Sequence, residues 1–217
     1  MLDSQREELV NRLIGWGYLR TPRIIEAFRK VPRHEFVPEN LKDSAYLDQP
    51  LPIGHGQTIS APSMIAIMLE VLQLEPGQRV LEIGAGSGYN AALLAEIVGE
   101  EGEVYTIERL KELADFGRRN LEKTGYGEVK VILGDGTLGY EEKAPWDRIL
   151  VTACAPKIPK PLIDQLKIGG KIAIPVGRHY MIQTLVLAEK TESGKIKTQR
   201  HGGCSFVPLV GKYGWKE

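Results

Sequence analysis

Val80-Leu81-Glu82-Ile83-Gly84-Ala85-Gly86-Ser87-Gly88 is an apolar strand that ends in an acid and then three glycines spaced two apart. A strand running through Gly-x-Gly-x-Gly into a helix, here Tyr89-Asn90-Ala91-Ala92-Leu93-Leu94-Ala95, lets the backbone pass close to a nucleotide cofactor. A dinucleotide fingerprint, Gly-x-Gly-x-x-Gly or Ala, would need a small residue at position 89, where Tyr89 stands. A glycine-rich turn kept only for strand-to-helix packing is the competing reading of the triplet.

Two later strand ends favour a cofactor. Val104-Tyr105-Thr106-Ile107 ends in Glu108, about 20 residues beyond the turn, where folds of this type grip ribose hydroxyls. A carboxylate there can accept from both hydroxyls of a diol. Val129-Lys130-Val131-Ile132-Leu133 runs into Gly134-Asp135-Gly136, which turns the chain tightly and aims Asp135 at the same crevice. The rival readings are a solvated strand end for Glu108 and an ordinary Asp-Gly turn for Asp135. Three strand-end signals in series are harder to explain by packing alone.

Working outward, strands are expected at Val80–Ile83, Val104–Ile107, Val129–Leu133, Arg148–Thr152 and Lys171–Val176, with helices after the first two and near Lys160–Leu166. That alternation predicts an α/β, doubly wound, mostly parallel sheet with its ligand crevice at the strand C-termini. Gln183–Ala188 and Lys195–Gln199, joined by Glu192-Ser193-Gly194, read as an antiparallel hairpin at the sheet edge. Ahead of the sheet stands a helical segment. Ser4-x-x-Glu7 reads as a capping box before Leu9, Leu13 and Trp16, Thr21-Pro22 starts a second helix that Pro32 ends, and a third runs from about Pro62 to Leu72. One domain over residues 1–217 is expected, with 1–75 as a helical N-terminal segment on the substrate side and 76–217 as the cofactor-binding core with its edge strands.

The chain has 217 residues, 42% of them hydrophobic, with no repeat and no low-complexity linker. Lys plus Arg and Asp plus Glu each number 28, giving a formal net charge of zero, so no global pull toward nucleic acid or an anionic membrane is expected. The start is polar and acidic, and apolar runs are broken, for example by Glu70, well short of the about 18 residues a membrane span needs. A cytoplasmic monomer is the expectation. Cys154 and Cys204 are too few for a disulfide framework and lack metal-ligand partners at useful spacing, so both read as buried thiols and no metal is expected.

The acid-Gly-x-Gly-x-Gly form resembles motif I of the S-adenosylmethionine-dependent methyltransferases, which share a Rossmann-like sheet. Trp146-Asp147-Arg148-Ile149-Leu150-Val151-Thr152 and Leu166-Lys167-Ile168-Gly169-Gly170-Lys171-Ile172-Ala173-Ile174-Pro175 extend the resemblance, because those enzymes place an apolar strand and then a Gly-Gly turn and strand in this order. No Asn-Pro-Pro-Tyr or Asp-Pro-Pro-Tyr follows the fourth strand, and Ala153 precedes Cys154 where the cytosine C5 enzymes carry Pro-Cys. An oxygen acceptor is therefore favoured over a base nitrogen or carbon. Gly56-Gln57-Thr58-Ile59-Ser60-Ala61-Pro62-Ser63-Met64 is similar to the signature of the protein-L-isoaspartate O-methyltransferase family. Arg33-His34-Glu35-Phe36-Val37-Pro38, Ala155-Pro156, Leu162-Ile163-Asp164-Gln165-Leu166-Lys167, Ile174-Pro175-Val176-Gly177 and Phe206-Val207-Pro208-Leu209 carry the resemblance along nearly the whole chain. The tail Lys212-Tyr213-Gly214-Trp215 departs from members that continue further, so any cofactor contact of that extension is not carried over.

The resemblance implies a protein-repair transferase that moves a methyl group from S-adenosyl-L-methionine to the free α-carboxylate of L-isoaspartyl residues in damaged proteins and peptides, leaving S-adenosyl-L-homocysteine. It implies cofactor contacts from Glu82, Gly84, Ala85, Gly86, Glu108, Gly134, Asp135 and Gly136, with Asp135 near adenine and Glu82 in support. On the acceptor side it implies Gln57, Thr58, Ile59, Ser60, Val207 and Leu209, with the Ser60 hydroxyl positioning the carboxylate. The rival role for Ser60 is to cap the helix that begins near Pro62. A carboxylate, with a pKa of about 4, is already ionised at neutral pH. No strong base is needed, which suits a chain whose histidines, His34, His55, His179 and His201, show no pairing with a Ser or Cys. Two alternatives stay open. A methyltransferase for a small-molecule carboxylate or hydroxyl would share residues 80–176 but would not need Thr58-Ile59-Ser60, and a module that binds the cofactor without chemistry would need only the glycine turn.

Overall fold

A computed structural model describes residues 2–216; Met1 and Glu217 lie outside the described residues. α1 (Leu2–Gly15) buries Leu9, Val10 and Leu13. It starts upstream of Ser4, so Ser4 and Glu7 lie inside the helix and form no capping box. Asp3, at the positive end of the helix dipole and ion-paired to Arg6 at 2.9 Å, supports the first turn instead. α2 (Pro22–Lys30) follows Thr21, with proline's fixed φ in its first turn, and turns Ile24, Ala27 and Phe28 inward.

Short 3-10 turns at Arg33–Phe36 and Glu39–Ser44 lead to an antiparallel ribbon, β1 (Leu51–Gly54) and β2 (Gln57–Ile59), in which Leu51 faces Ile59 and Pro52 faces Thr58. The N-terminal segment, expected to be helical, therefore also carries a short two-stranded ribbon. Pro52 and the Gly54-His55-Gly56 turn interrupt the two-residue alternation by which a strand is read. α3 (Pro62–Leu72) spans the expected residues.

The rest alternates: β3 (Arg79–Ile83), α4 (Tyr89–Val98), β4 (Glu103–Glu108), α5 (Lys111–Lys123), β5 (Lys130–Leu133), β6 (Trp146–Val151), α6 (Lys160–Asp164), β7 (Leu166–Val176), β8 (Gln183–Lys190) and β9 (Ile196–Cys204). The sheet order is β5-β4-β3-β6-β7-β8-β9, parallel from β5 to β7, with β8 and β9 antiparallel at one edge, so the doubly wound sheet and its edge hairpin are both present. β7 begins at Leu166 rather than Lys171, because its pairing with β6 shifts register between Trp146 and Arg148 and so accommodates the Gly169-Gly170 turn inside the strand.

Successive strand residues point to opposite faces, and both faces are covered. Val80 and Leu150 join a buried cluster with Leu9, Phe28, Ile65 and Leu93, while Leu81 and Ile149 join Trp146 and Leu162. Tyr89, the residue that excludes a dinucleotide fingerprint, is where the N-terminal segment docks. The rings of Phe36 and Phe28 stand edge-on to it at 5.5 and 6.4 Å. Burying two phenylalanines contributes roughly 1.5–3 kcal/mol each, which fixes that segment beside the first turn of α4. Among the described residues no helix is long and apolar enough to cross a membrane.

Candidate active site

The chain order reverses around β3, whose neighbours are β4 and β6, and the main crevice opens at the C-terminal ends of these three strands. The glycine turn forms its floor. Gly84, Gly86 and Gly88 have φ of +99°, +52° and +87°, conformations that residues with a Cβ rarely adopt. A Cβ on Gly84 would stand 2.5 Å from Thr152 Oγ1, and one on Gly88 would stand 2.9 Å from the Gly117 carbonyl oxygen. The turn is held by main-chain bonds from Gly84 N–H to Ile107 O (2.8 Å), from Gly88 N–H to Ala85 O (2.8 Å) and from Thr152 N–H to Ile83 O (3.0 Å).

Glu108 ends β4 almost wholly buried, and its two carboxylate oxygens accept from Gly86 N–H at 2.9 Å and Leu110 N–H at 3.0 Å. It therefore clamps the glycine turn while lining the crevice. Glu82 does not reach the crevice surface. It is fully buried beneath the turn, where Thr106 Oγ1 donates to one carboxyl oxygen at 2.6 Å and the other has no hydrogen-bond partner. Burial pushes its pKa up to about 8, opposed by the Thr106 bond.

Asp135 is already engaged. Its Oδ1 accepts from Thr137 N–H (2.9 Å) and Thr137 Oγ1 (2.7 Å), and its Oδ2 accepts from Lys212 N–H (2.8 Å), which ties the C-terminal segment to the end of β5. With Gly134 it lines a neighbouring depression that shares Arg109 and Val210 with the main crevice, whereas Gly136 lines the main crevice itself.

On the facing side, Gln57, Thr58, Val207 and Leu209 line the main crevice. Thr58, Ile59 and Ser60 line an adjoining pocket with Ala85, Ser87 and Asn90, and the two spaces share Thr58, Gly84, Gly86 and Thr152 as walls. Ser60 does not cap α3. The N-cap position is Ala61, and the side-chain acceptor at this helix start is Asp48, whose Oδ1 takes the Ser63 N–H at 2.8 Å. Among the described residues the Ser60 hydroxyl has no hydrogen-bond partner, while the Ser60 carbonyl accepts from Arg33.

Sequence reasoning did not find Gly117, Asn120 or Thr152. A Cβ on Gly117, in the middle of α5, would press on Gly86 O at 3.1 Å, so α5 packs directly on the turn. Asn120 Nδ2 donates to Ser87 O at 2.9 Å, and Thr152 Oγ1 bonds the carbonyls of Ile83 (3.0 Å) and Gly84 (2.9 Å). A lone glycine inside a helical pattern is the available signal for the first. The other two are ordinary polar residues until the fold brings them to the turn. No group of three or more His, Cys, Asp or Glu side chains among the described residues is arranged to hold a metal ion.

The site fits a nucleoside cofactor by its own geometry, since a backbone cradle that any Cβ would obstruct adjoins a strand-end carboxylate and an apolar wall of Ile107, Leu110 and Leu113. Comparison with known proteins agrees. Residues 4–214 match the family model described as Protein-L-isoaspartate(D-aspartate) O-methyltransferase (PCMT). The Protein-L-isoaspartate O-methyltransferase of Methanopyrus kandleri is 62% identical over 213 residues, covering 98% of this chain and 94% of its own. That of Pyrococcus horikoshii is 54% identical, covering 96% and 94%. Among solved structures, a protein-L-isoaspartate O-methyltransferase superposes with a TM-score of 0.87 at 32% identity over 96% of this chain and 67% of that one. The beta-aspartate methyltransferase (PCMT) from Plasmodium falciparum, solved in complex with S-adenosyl-L-homocysteine, gives 0.83 at 29% identity over 94% and 98%. By sequence along nearly its whole length, and by the sheet and crevice that sequence builds, the chain belongs to the protein-L-isoaspartate(D-aspartate) O-methyltransferase family.

Proposed function

We propose that this chain transfers a methyl group from S-adenosyl-L-methionine to the free α-carboxylate of L-isoaspartyl residues in damaged proteins and peptides, releasing S-adenosyl-L-homocysteine and the carboxyl methyl ester. The observation that carries the reading is the shared wall. Thr58 and Ser60 line a small pocket together with Gly84 and Gly86, and Thr58, Gly84 and Gly86 also line the main crevice, so an acceptor held at Ser60 would lie against a cofactor held on the glycine turn.

When bound, S-adenosyl-L-methionine supplies a methyl group on a sulfonium, an electrophile that needs no acid to activate it. Gly84, Ala85 and Gly86 give the close backbone approach, and Gly134, Asp135 and Gly136 close the adenine side with Asp135 fixed by Thr137 and Lys212. Glu108, held by two main-chain donors, keeps further lone pairs for a ribose diol. Glu82 supports the turn from below. Gln57, Thr58 and Ile59 shape the acceptor side, and the Ser60 hydroxyl donates to one oxygen of the acceptor carboxylate. Val207 and Leu209, with Ile53, keep water from the other oxygen, the nucleophile. Aligning two bound reactants this way contributes about 7–11 kcal/mol to lowering the barrier. No side chain has to remove a proton.

The same reading has the chain working as a cytoplasmic monomer. Support for that compartment comes from two free buried thiols, Cys154 and Cys204, in a chain without a disulfide. The deciding experiment is transfer of labelled methyl from S-adenosyl-L-methionine to an isoaspartyl peptide and to its aspartyl twin. Label is expected on the first alone. Equal labelling of the two, or none on either, overturns the reading.

A further inference from the structure

We infer that Arg33 is a positioning residue for the methyl acceptor: its guanidinium fixes the Ser60 peptide against the first residue of α4, and so sets where the Ser60 hydroxyl stands relative to the glycine turn. The inference rests on the isoaspartyl reading of Ser60.

Arg33 opens the first 3-10 turn and is completely buried. A buried arginine is ordinarily paired with a carboxylate, because an uncompensated charge in the interior is strongly unfavourable. Arg33 makes no ion pair among the described residues. Its Nε donates to Ala45 O at 2.8 Å, its Nη2 donates to Ser60 O at 2.8 Å, and its Cζ lies 5.1 Å from the centroid of the Tyr89 ring. Its Nη1 is buried with no hydrogen-bond partner. Burial lowers its pKa to about 10, which leaves the group charged at neutral pH.

The three groups it contacts come from three separate pieces of the site. Ala45 belongs to the segment leading into β1, Ser60 follows β2, and Tyr89 is the residue after the last glycine of the turn. A hydrocarbon of similar size would fill the same space without burying a charge, but it could hold neither carbonyl. A lysine would keep the charge, but its donors sit on a single nitrogen, with no planar fork to reach Ala45 and Ser60 together while stacking on Tyr89. The guanidinium thus registers the acceptor segment against the cofactor turn. Its charge also sits one peptide from the place where an anionic carboxylate is to be held and where a neutral ester is to be released.

A plain bolt for the N-terminal segment would make the same contacts, so the test must separate fastening from positioning. The experiment is a double-mutant cycle of Arg33→Lys with Ser60→Ala, read as kcat/KM on an isoaspartyl peptide, with S-adenosyl-L-homocysteine affinity by calorimetry and Tm measured beside it. Arg33→Lys alone is expected to lower kcat/KM by about 20-fold or more, the scale of a lost bond from a charged donor. Cofactor-product affinity is expected to stay within about twofold, and Arg33→Lys is expected to add little on the Ser60→Ala background, since it would act through that hydroxyl. Arg33→Gln, neutral and able to keep one carbonyl bond, is run through the same cycle as the second variant. The inference is overturned if the losses multiply in the double variants, if affinity for S-adenosyl-L-homocysteine falls in parallel with activity, if kcat/KM stays within about twofold, or if neither variant folds. A wild-type chain inactive on the isoaspartyl peptide would overturn the functional reading instead, so the two failures are distinguishable.

Discussion

The two walls of the crevice are built differently. The cofactor wall is backbone: the ends of β3, β4 and β6 are hydrogen-bonded to one another through Gly84 N–H to Ile107 O and Thr152 N–H to Ile83 O, and the glycines leave room beside them. The acceptor wall is a three-residue strand and a loop held by side chains from elsewhere, with Arg33 on the Ser60 carbonyl and Asp48 on the start of α3. A wall made of main chain tolerates almost no added atom. A wall made of side chains can lose one contact and stay folded, so its mutations should separate activity from stability.

The largest effect is expected at Gly84. Valine there would meet Thr152 Oγ1 and would have to hold a φ of +99°, a strain on the order of 1–3 kcal/mol before the cofactor is considered. Calorimetry is expected to find no measurable S-adenosyl-L-homocysteine binding by Gly84→Val. Normal binding would break the contrast between the walls and remove the glycine cradle from the cofactor site.

Ser60→Ala should come next and should differ in kind. With no protein partner for its hydroxyl, the change should leave the fold and the cofactor affinity alone while lowering kcat/KM on an isoaspartyl peptide by the worth of a bond to a charged group, about 1.5–3 kcal/mol or roughly 10- to 150-fold. Unchanged kcat/KM in the folded variant would take Ser60 out of the acceptor site.

The same contrast explains what could be read from the sequence. The glycine turn, the strand-end acids and the bounds of α3 are local: each rests on residue type and spacing within a few positions, and Pro62 to Leu72 is helical where the pattern puts it. What resisted reading is decided by distant partners. Ser60 stands close enough ahead of Pro62 to be read as a cap, yet Ala61 holds the N-cap position and Asp48, 15 residues before Ser63, supplies the side-chain acceptor. Asp135 looks free at a strand end, but Lys212 comes back 77 residues later to bind it. Ser4 and Glu7 have the capping-box spacing, but the helix simply begins earlier. Glu82 stands at a strand tip, where an acid could either meet the ligand or support the turn, and only its full burial and the bond from Thr106 on β4 show that it is sealed beneath the turn.

That sealing gives the third prediction. A carboxyl with an ordinary pKa of 4.5 is raised by burial to about 8 in the folded chain. Between these values the unfolded chain has released a proton that the folded chain keeps, so this group makes stability fall as pH rises through the window, by at most about 1.4 kcal/mol per pH unit. Below 4.5 and above about 8 its contribution is flat. Glu82→Gln removes the ionisation while keeping an acceptor for Thr106. Its Tm should therefore decline less than that of the wild type between pH 5 and pH 8, and parallel melting curves would show that Glu82 is not held protonated under the turn.

The smallest effect is at Asp48, and it sharpens the assignment of Ser60. If Asp48 is the cap of α3, Asp48→Ala should destabilise by about 0.5–2 kcal/mol, the usual worth of an N-cap. For a chain of this size each kcal/mol is about 2–4 °C in Tm. Ser60→Ala should not move Tm at all, because its hydroxyl satisfies none of the helix donors. The pair should thus cross, with Asp48→Ala lowering Tm and changing methyl transfer little, and Ser60→Ala lowering methyl transfer at constant Tm. If Ser60→Ala instead melts earlier by as much as Asp48→Ala, the hydroxyl is serving the helix after all, and the acceptor carboxylate must find its donor elsewhere on the wall.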